Sequence, residues 1–378
     1  MDNKKNILLV TLFDDNNIGN RLQNYALQHT LELHNVNVSI IDNGYTNYPE
    51  IKDKIKIIIK QCLGIIGIEK YRYSFQRFLS EKMKRVANKE FDRKNIHNII
   101  NLSNTQIFNS DWSVFDIAIA GSDQIWHRWG NDKLELPFYY LQFMPKTKRA
   151  AYAASFGFEN FPEQDLEQHK KGLQEMEYIS CRELSGCKLV EEVVGRDVPR
   201  VLDPTLLLSV ADWRKIEGQA PEYARTQKNY AFVYFLGEQT EEYKQYICDV
   251  MQHQEIDKII DFSNYMDKNI SVCGPAGFLS LIDHAEWIFT DSFHCTVFSV
   301  LFDKKFTAFR REQEGFEKMF GRIEDLLAST NKLECIYGGT TRVATNDFDK
   351  LYSDSMHYIS KVMGCADGED ESDHIVGD

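Results

Sequence analysis

No two cysteines of this sequence stand at CxxC spacing and none pairs with histidine at metal-ligand spacing, although eight occur, at 62, 181, 187, 248, 273, 295, 335 and 365. Scattered in this way they read as reduced, mostly buried small hydrophobes, which argues against a disulfide framework and against a structural zinc site. Positive charge is also short: 44 Lys and Arg against 57 Asp and Glu leave a net charge of −13, which argues against non-specific binding to nucleic acid. No apolar run approaches the roughly 18 residues needed to span a bilayer. The opening run Ile7 to Phe13 is shorter than the apolar region of a secretion signal, so the expected location is the cytoplasm. The first polar loop carries a single glycine and is no GxGxxG, and GxxxxGK[ST] occurs nowhere. A dinucleotide or P-loop nucleotide site is therefore not expected.

What is present is length and repetition of pattern. At 378 residues with 43% apolar content the chain is long for one core and rich enough in apolar residues for two. Ile7 to Phe13 reads as a buried strand. It is followed by a polar loop, a helical pattern from Leu22 to Leu33, and a second strand from Val36 to Asp42, the opening of a parallel α/β sheet. Strands are then expected over Val114 to Gly121, Lys148 to Ser155 and Tyr178 to Cys181, with a helix from Glu163 to Met176. The stretch Ala211 to Lys228 reads as polar and irregular and marks an interdomain boundary. A second α/β unit follows, with strands near Tyr230 to Leu236, Lys258 to Phe262, Glu286 to Thr290 and Phe306 to Phe309. The fold class is thus α/β, two Rossmann-like domains facing a central cleft, divided as 1–210 and 211–345. A closing helix over 346–363 and an acidic, disordered tail over 364–378 complete the chain.

One segment departs from the acidic average. Residues 52–94 hold thirteen Lys and Arg against five Asp and Glu, a net +8, interleaved with isoleucines and aromatics. As a basic helical insertion, at about residues 50–100 of the first domain, it suits either packing on the sheet or peripheral contact with an anionic membrane.

Several strands end in short polar loops that should open on one edge of each sheet, where α/β proteins bind ligands. After the first strand come Asn17, Gly19, Asn20, Gln23 and Asn24, amides suited to sugar hydroxyls or to bracing the loop itself. After the strand Val114 to Gly121 lie Asp123, Gln124 and Trp126, and Ser155 ends the strand Lys148 to Ser155. Arg182 follows the strand Tyr178 to Cys181. In the second unit, Thr290-Asp291-Ser292-Phe293-His294 joins a strand to a helix, where Asp291 or Ser292 can cap, and His294 lies in the first turn. Free N–H groups and the helix dipole make an anion the natural guest there.

Taken in order, Asn17-Ile18-Gly19-Asn20-Arg21-Leu22-Gln23-Asn24-Tyr25, Gly121-Ser122-Asp123-Gln124-Ile125-Trp126, Ser155-Phe156-Gly157, Ser180-Cys181-Arg182-Glu183, Leu202-Asp203-Pro204-Thr205 and Thr290-Asp291-Ser292-Phe293-His294 resemble the motif series of the polysaccharide pyruvyl transferase family. The resemblance implies a fold like that of GT-B glycosyltransferases. It also implies transfer of the enolpyruvyl carbons of phosphoenolpyruvate onto a hexose of a surface-polysaccharide precursor, closing a pyruvate ketal across two hydroxyls. It places Arg182 and His294 in a basic pocket for phosphoenolpyruvate. The chemistry of the loops adds Ser292 and Phe293 at the helix start to that pocket, and makes His294 and Asp123 the catalytic candidates. The acceptor, in such pathways carried on a polyprenyl lipid at the inner membrane face, falls to Asn17, Gly19, Asn20, Gln23, Asn24, Gln124, Trp126 and Ser155. Neither metal nor cofactor is implied beyond phosphoenolpyruvate as co-substrate. Two departures stand out: Cys295 where glycine is common, suggesting less room beside the ligand, and Ser292 where some relatives carry arginine, one cation fewer for the phosphate. A nucleotide-sugar glycosyltransferase and a catalytically inactive sugar-binding relative are the competing readings.

Overall fold

The computed structural model describes residues 4–14, 16–44, 69–264, 267–312 and 320–364, with the side chains of the first long helix described from Gln76 onward. The isoleucine-rich part of the basic insertion and the acidic tail beyond Gly364 lie outside the described residues.

The first domain is built on a six-stranded parallel sheet of β1 (Asn6–Val10), β2 (Asn37–Asp42), β3 (Ile99–Asn101), β4 (Ile117–Ala120), β5 (Arg149–Ala154) and β6 (Tyr178–Cys181), in the order β3-β2-β1-β4-β5-β6. Ile7, Leu8, Leu9 and Val10 are all fully buried, as a central strand covered on both faces requires, which is why β1 reads as an unbroken apolar run. The strand order reverses between β1 and β4, and the carboxyl ends on either side of that reversal form the crevice where doubly wound sheets take ligands. Helix α1 (Ile18–Glu32) starts there, its N-cap Asn17 accepting the N–H of Asn20.

Helix α2 (Glu69–Asn95) is the described part of the basic insertion. One face packs inward: Ser80, Asn88, Phe91 and Asp92 are buried, Asp92 pairs with Arg21 of α1 at 3.1 Å, and Ser80 Oγ lies 2.5 Å from Ser271 Oγ of the second domain. The helix therefore braces both domains. Its outer face leaves Phe78, Leu79 and Val86 exposed beside Lys82, Arg85, Lys89 and Arg93.

Beyond β6 come α3 (Leu184–Val194) and α4 (Val210–Glu217). The expectation of irregular chain over Ala211 to Lys228 is corrected here, because α4 and a turn of helix at Glu222–Thr226 occupy most of it. Ser209 caps α4 through the N–H of Asp212. Trp213 fills the space between the domains, fully buried, with its indole N–H on Thr205 O at 3.0 Å. One large aromatic in contact with both domains outweighs the polar character of the window.

The second domain has a four-stranded parallel sheet of β7 (Tyr230–Tyr234), β8 (Lys258–Asp261), β9 (Trp287–Thr290) and β10 (Phe306–Ala308), ordered β10-β9-β7-β8. Helices α5 (Gly274–Asp283), α6 (Phe293–Leu301) and α7 (Gly321–Ser329) cover it. A single apolar core runs from the α1 side of the first sheet, through Trp213, to the α5 and α6 side of the second. The closing helix α8 (Phe348–Met363) returns to the first domain, where Tyr358 Oη donates to Ala151 O at 2.9 Å and Ser355 Oγ accepts the N–H of Leu202 at 2.9 Å. The two carboxyl edges are thereby held face to face.

Candidate functional site

Four loops of the first sheet and two of the second converge on one buried cluster of charge. Asp123 follows β4 with φ at 74°, a left-handed conformation that a non-glycine residue adopts at a cost and that is common at working sites. Its carbonyl accepts the N–H of Ile125 and of Ser155, so the chain around it is fixed. One carboxylate oxygen accepts from Asn20 Nδ2 at 2.5 Å and the other from the N–H of Gln124 at 2.9 Å.

Arg182, at the end of β6, is 5% exposed. Its Nη1 donates to Asp203 Oδ2 at 2.7 Å. The remaining nitrogens fall short of hydrogen bonds, with Nη2 3.6 Å from Asp123 and Nε 3.7 Å from Glu183, and both are unsatisfied among the described residues. Asp203 serves as the anchor, since Ser122 Oγ, Thr205 Oγ1 and the Thr205 N–H also donate to it. Burial by itself would raise this carboxyl, but His294, Arg182 and the Thr205 hydroxyl hold it down at about 2. It is a permanent anion that fixes one edge of the guanidinium, while the other edge lies within ion-pair distance of Asp123 and Glu183 without a hydrogen bond among the described residues.

Across the cleft, Ser292 is the N-cap of α6, its hydroxyl accepting the N–H of Cys295 at 3.5 Å. Asp291, the alternative cap, turns the other way: it accepts the N–H groups of Leu236 at 2.7 Å and Gly237 at 2.8 Å, and Arg311 Nε at 3.0 Å. Phe293 and His294 then lie in the first helical turn, whose N–H groups have no intrahelical acceptor. His294 Nε2 points at Asp203, 3.9 Å away, and is without a hydrogen bond among the described residues. Burial, only partly opposed by Asp203 and Asp123, lowers its pKa below the usual histidine value, so the unliganded imidazole is neutral at pH 7. The Phe293 ring carries two guanidinium groups, Arg182 at 4.5 Å and Arg322 of α7 at 5.4 Å from its centroid. Arg322 is lowered to about 10, first by burial and then by the charge of Arg182, and remains a cation at neutral pH. Its Nε has no hydrogen-bond partner among the described residues. Two cations thus lie against one aromatic ring, each with donor nitrogens lacking a hydrogen bond among the described residues.

Gly19 lies under the His294 ring, where a Cβ would come within 2.2 Å of Nδ1; it allows the second domain's helix to close on the first. Gln23 and Asn24 are buried and bonded to each other, and Asn24 also bonds Thr11 and Leu12 O, so this pair braces the loop after β1. Gln124 and Ser155 are buried near Asp123, each with one side-chain atom unsatisfied among the described residues. Trp126 is fully buried and stacked on Tyr140 at 5.3 Å, with its ring in the first domain's core and its backbone N–H on Ser155 O at 3.2 Å. Cys295 is fully buried in the interdomain core, which corrects the expectation that it narrows the space beside a ligand. No group of His, Cys, Asp and Glu suited to a metal occurs among the described residues.

A sequence model of polysaccharide pyruvyl transferases matches residues 17–313, more than half of the chain. The chain belongs to the polysaccharide pyruvyl transferase family. No curated protein sequence matches it significantly. Among solved structures, a candidate UDP-N-acetylglucosamine 2-epimerase from Listeria monocytogenes is similar with a TM-score of 0.51 at 10% identity, covering 96% of this chain and 92% of that one. The UDP-GlcNAc 2-epimerase of Neisseria meningitidis bound to UDP-GlcNAc gives a TM-score of 0.45 at 11% identity, over 96% of this chain and 94% of the other. E. coli heptosyltransferase WaaC with ADP gives 0.37 at 7%, over 93% and 99%. At such identities the likeness concerns fold alone, and the Listeria protein carries it: this pyruvyl transferase family member has a GT-B-like pair of α/β domains.

Within the family's motif series, Arg182, Asp123 and His294 come together as their loops suggested. Arg322 carries no motif signal. It lies far along the chain from Ser292, on a helix whose apolar spacing is ordinary, and the one sequence clue was indirect: a phosphate-sized anion with too few cations.

Proposed function

We propose that the cleft binds phosphoenolpyruvate and transfers its pyruvyl carbons to a hexose of a surface-polysaccharide precursor as a cyclic ketal, releasing phosphate. The observation that carries this reading is the pairing of Arg182 and Arg322 over Phe293, with unspent donors, opposite the start of α6. Phosphoenolpyruvate presents a carboxylate and a phosphate, and two planar forks with free helix N–H groups are the donors that such a pair of anions requires. Arg322 supplies the cation that Ser292 does not.

The reaction begins with protonation of the methylene carbon C3, which makes C2 oxocarbenium-like. One sugar hydroxyl adds to C2 and gives up its proton, the C2–O bond to phosphate breaks, and the second hydroxyl adds to close the ketal. One hydroxyl proton restores the acid and the other leaves with phosphate. His294 is the acid: neutral when the site is empty, it gains a proton as the two anionic groups arrive beside it. Asp123 is held below the usual carboxylate range, where burial is outweighed by Arg182, His294 and Arg322. It is therefore an acceptor that orients the sugar hydroxyls more than a strong base. Asn20, Gln124 and Ser155 line the acceptor side.

The acceptor is carried on a polyprenyl lipid at the inner face of the cytoplasmic membrane, and the exposed face of α2, with Phe78, Leu79 and Val86 among Lys82, Arg85, Lys89 and Arg93, supports contact with an anionic surface. No helix among the described residues is long and apolar enough to cross a membrane.

Thermal denaturation with phosphoenolpyruvate, compared with uridine and guanosine nucleotide sugars, tests the donor. At 100 times its dissociation constant a ligand stabilises by about 2.7 kcal/mol. Phosphoenolpyruvate is expected to stabilise, and Arg182→Ala and Arg322→Ala each to weaken it tenfold or more, about 1.4 kcal/mol. Stabilisation by a nucleotide sugar alone overturns the donor and favours a glycosyltransferase.

A further inference from the structure

A second concavity opens on the same carboxyl edge of the first sheet, in the loops that follow β4 and β5. It has a volume of about 400 Å³ and is lined among others by His127, Trp129, Asn131, Phe158, Gln164 and His169. We infer that it is a subsite for an uncharged sugar of the acceptor glycan, adjacent to the hexose that receives the pyruvyl group. This inference rests on the transferase reading above.

The cavity is built in advance of any ligand. Trp129 is 39% exposed, yet its indole N–H donates to Gln124 O at 3.1 Å and its backbone N–H to Glu135 Oε1 at 2.8 Å, while the N–H of Gly130 donates to Glu135 Oε2 at 3.0 Å. A carboxylate with no exposed surface thus clamps the loop and holds an exposed indole still, the arrangement that lets an aromatic face receive a sugar ring without ordering cost.

The polar groups match hydroxyls and exclude ions. His169 is 1% exposed. Its Nδ1 lies 2.7 Å from Tyr140 Oη, and its Nε2 has no partner among the described residues. Burial lowers this histidine to about 4, so at pH 7 it is neutral, and Nε2 is a donor or an acceptor according to which way the Tyr140 bond runs. A sugar hydroxyl, which both donates and accepts, satisfies either state. Arg128, the cation on the wall, is committed to Asp165 at 2.8 Å and Gln168 at 2.8 Å. Neither a diphosphate nor a carboxylate finds an unpaired charge here, whereas Asn131 and Gln164 offer amides. Cavities of roughly 300–1,000 Å³ with aromatic walls and a few converging polar groups are the size of small-molecule sites.

Its location gives the order of the subsites. His127 follows Asp123 by four residues, and four residues of extended chain reach at most about 14 Å. The cavity and the charged cluster therefore share one loop, close enough for a short glycan chain to reach from one to the other.

Saturation-transfer NMR with the full-length protein tests this, using methyl β-galactoside and methyl β-glucoside against lactose, cellobiose and N-acetyllactosamine. At least one disaccharide is expected to bind more tightly than its methyl hexoside. Trp129→Ala should weaken that binding about five- to tenfold, and Trp129→Phe should retain most of it. Stabilisation by phosphoenolpyruvate, measured separately, should be the same in both variants. No disaccharide preference in the wild-type protein, or binding indifferent to Trp129→Ala, overturns the subsite. Disaccharide binding dependent on Trp129 in a protein that phosphoenolpyruvate does not stabilise sustains the subsite and removes the donor assignment.

Discussion

His294 is the residue on which the chemistry turns, and its charge is conditional. Burial depresses its pKa in the empty site more than Asp203 and Asp123 raise it. A bound phosphate and carboxylate add negative charge and raise it again. Between the free and the bound value the complex holds one more proton than the separate partners, so binding takes up a proton, and affinity falls as pH rises through that interval. Calorimetry of phosphoenolpyruvate binding in buffers of different ionisation enthalpy should report uptake near neutral pH, and His294→Gln should abolish it. Binding with no proton linkage in the wild-type protein would mean that His294 is not the acid. At this scale the sequence was informative where a side chain sits in a loop motif, as with Arg182 and His294. It was uninformative where partners come from distant helices. Arg322 and the anchoring of Arg182 by Asp203 depend on tertiary approach, and nothing local distinguishes buried Trp126 from half-exposed Trp129.

Among the elements, the contact between the start of α1 and the start of α6 sets the width of the cleft. Gly19 is required by proximity, since a methyl group there would meet His294 Nδ1 at 2.2 Å. Gly19→Ala is expected to keep the protein folded, because alanine is the better helix former by about 1 kcal/mol, while displacing the imidazole and lowering transfer more than tenfold. Phosphate release and the thermal midpoint, measured together, check this; unchanged release would show that the ring has room to yield. The strand and helix series was legible because parallel strands buried on both faces are written as apolar runs. The failures have physical causes as well. The segment from Ala211 to Lys228 looked irregular because its helices are short and mostly polar, and they hold their place through Trp213 and the Ser209 cap. Of the two cap candidates, Ser292 takes the position, because two backbone N–H groups of the loop after β7 and Arg311 claim Asp291.

Over the whole molecule, a continuous interdomain core, the brace of α2 and the return of α8 to the first sheet oppose the two carboxyl edges. The charge distribution is uneven, with basic and apolar side chains on the outer face of α2 in a protein of net charge −13. Vesicles rich in phosphatidylglycerol should bind the protein at low salt and release it near 0.5 M, where screening shortens to about 4 Å; binding that ignores salt, or none at low salt, would remove the membrane contact. Mass analysis of a panel of hexosides, incubated with the protein and phosphoenolpyruvate, is the direct measurement of the reaction itself. The mass increment of a pyruvate ketal is expected on at least one hexoside, with phosphate released in equal amount and both lost in Arg182→Ala. An unmodified panel, together with hexose transfer from a nucleotide sugar, would contradict it.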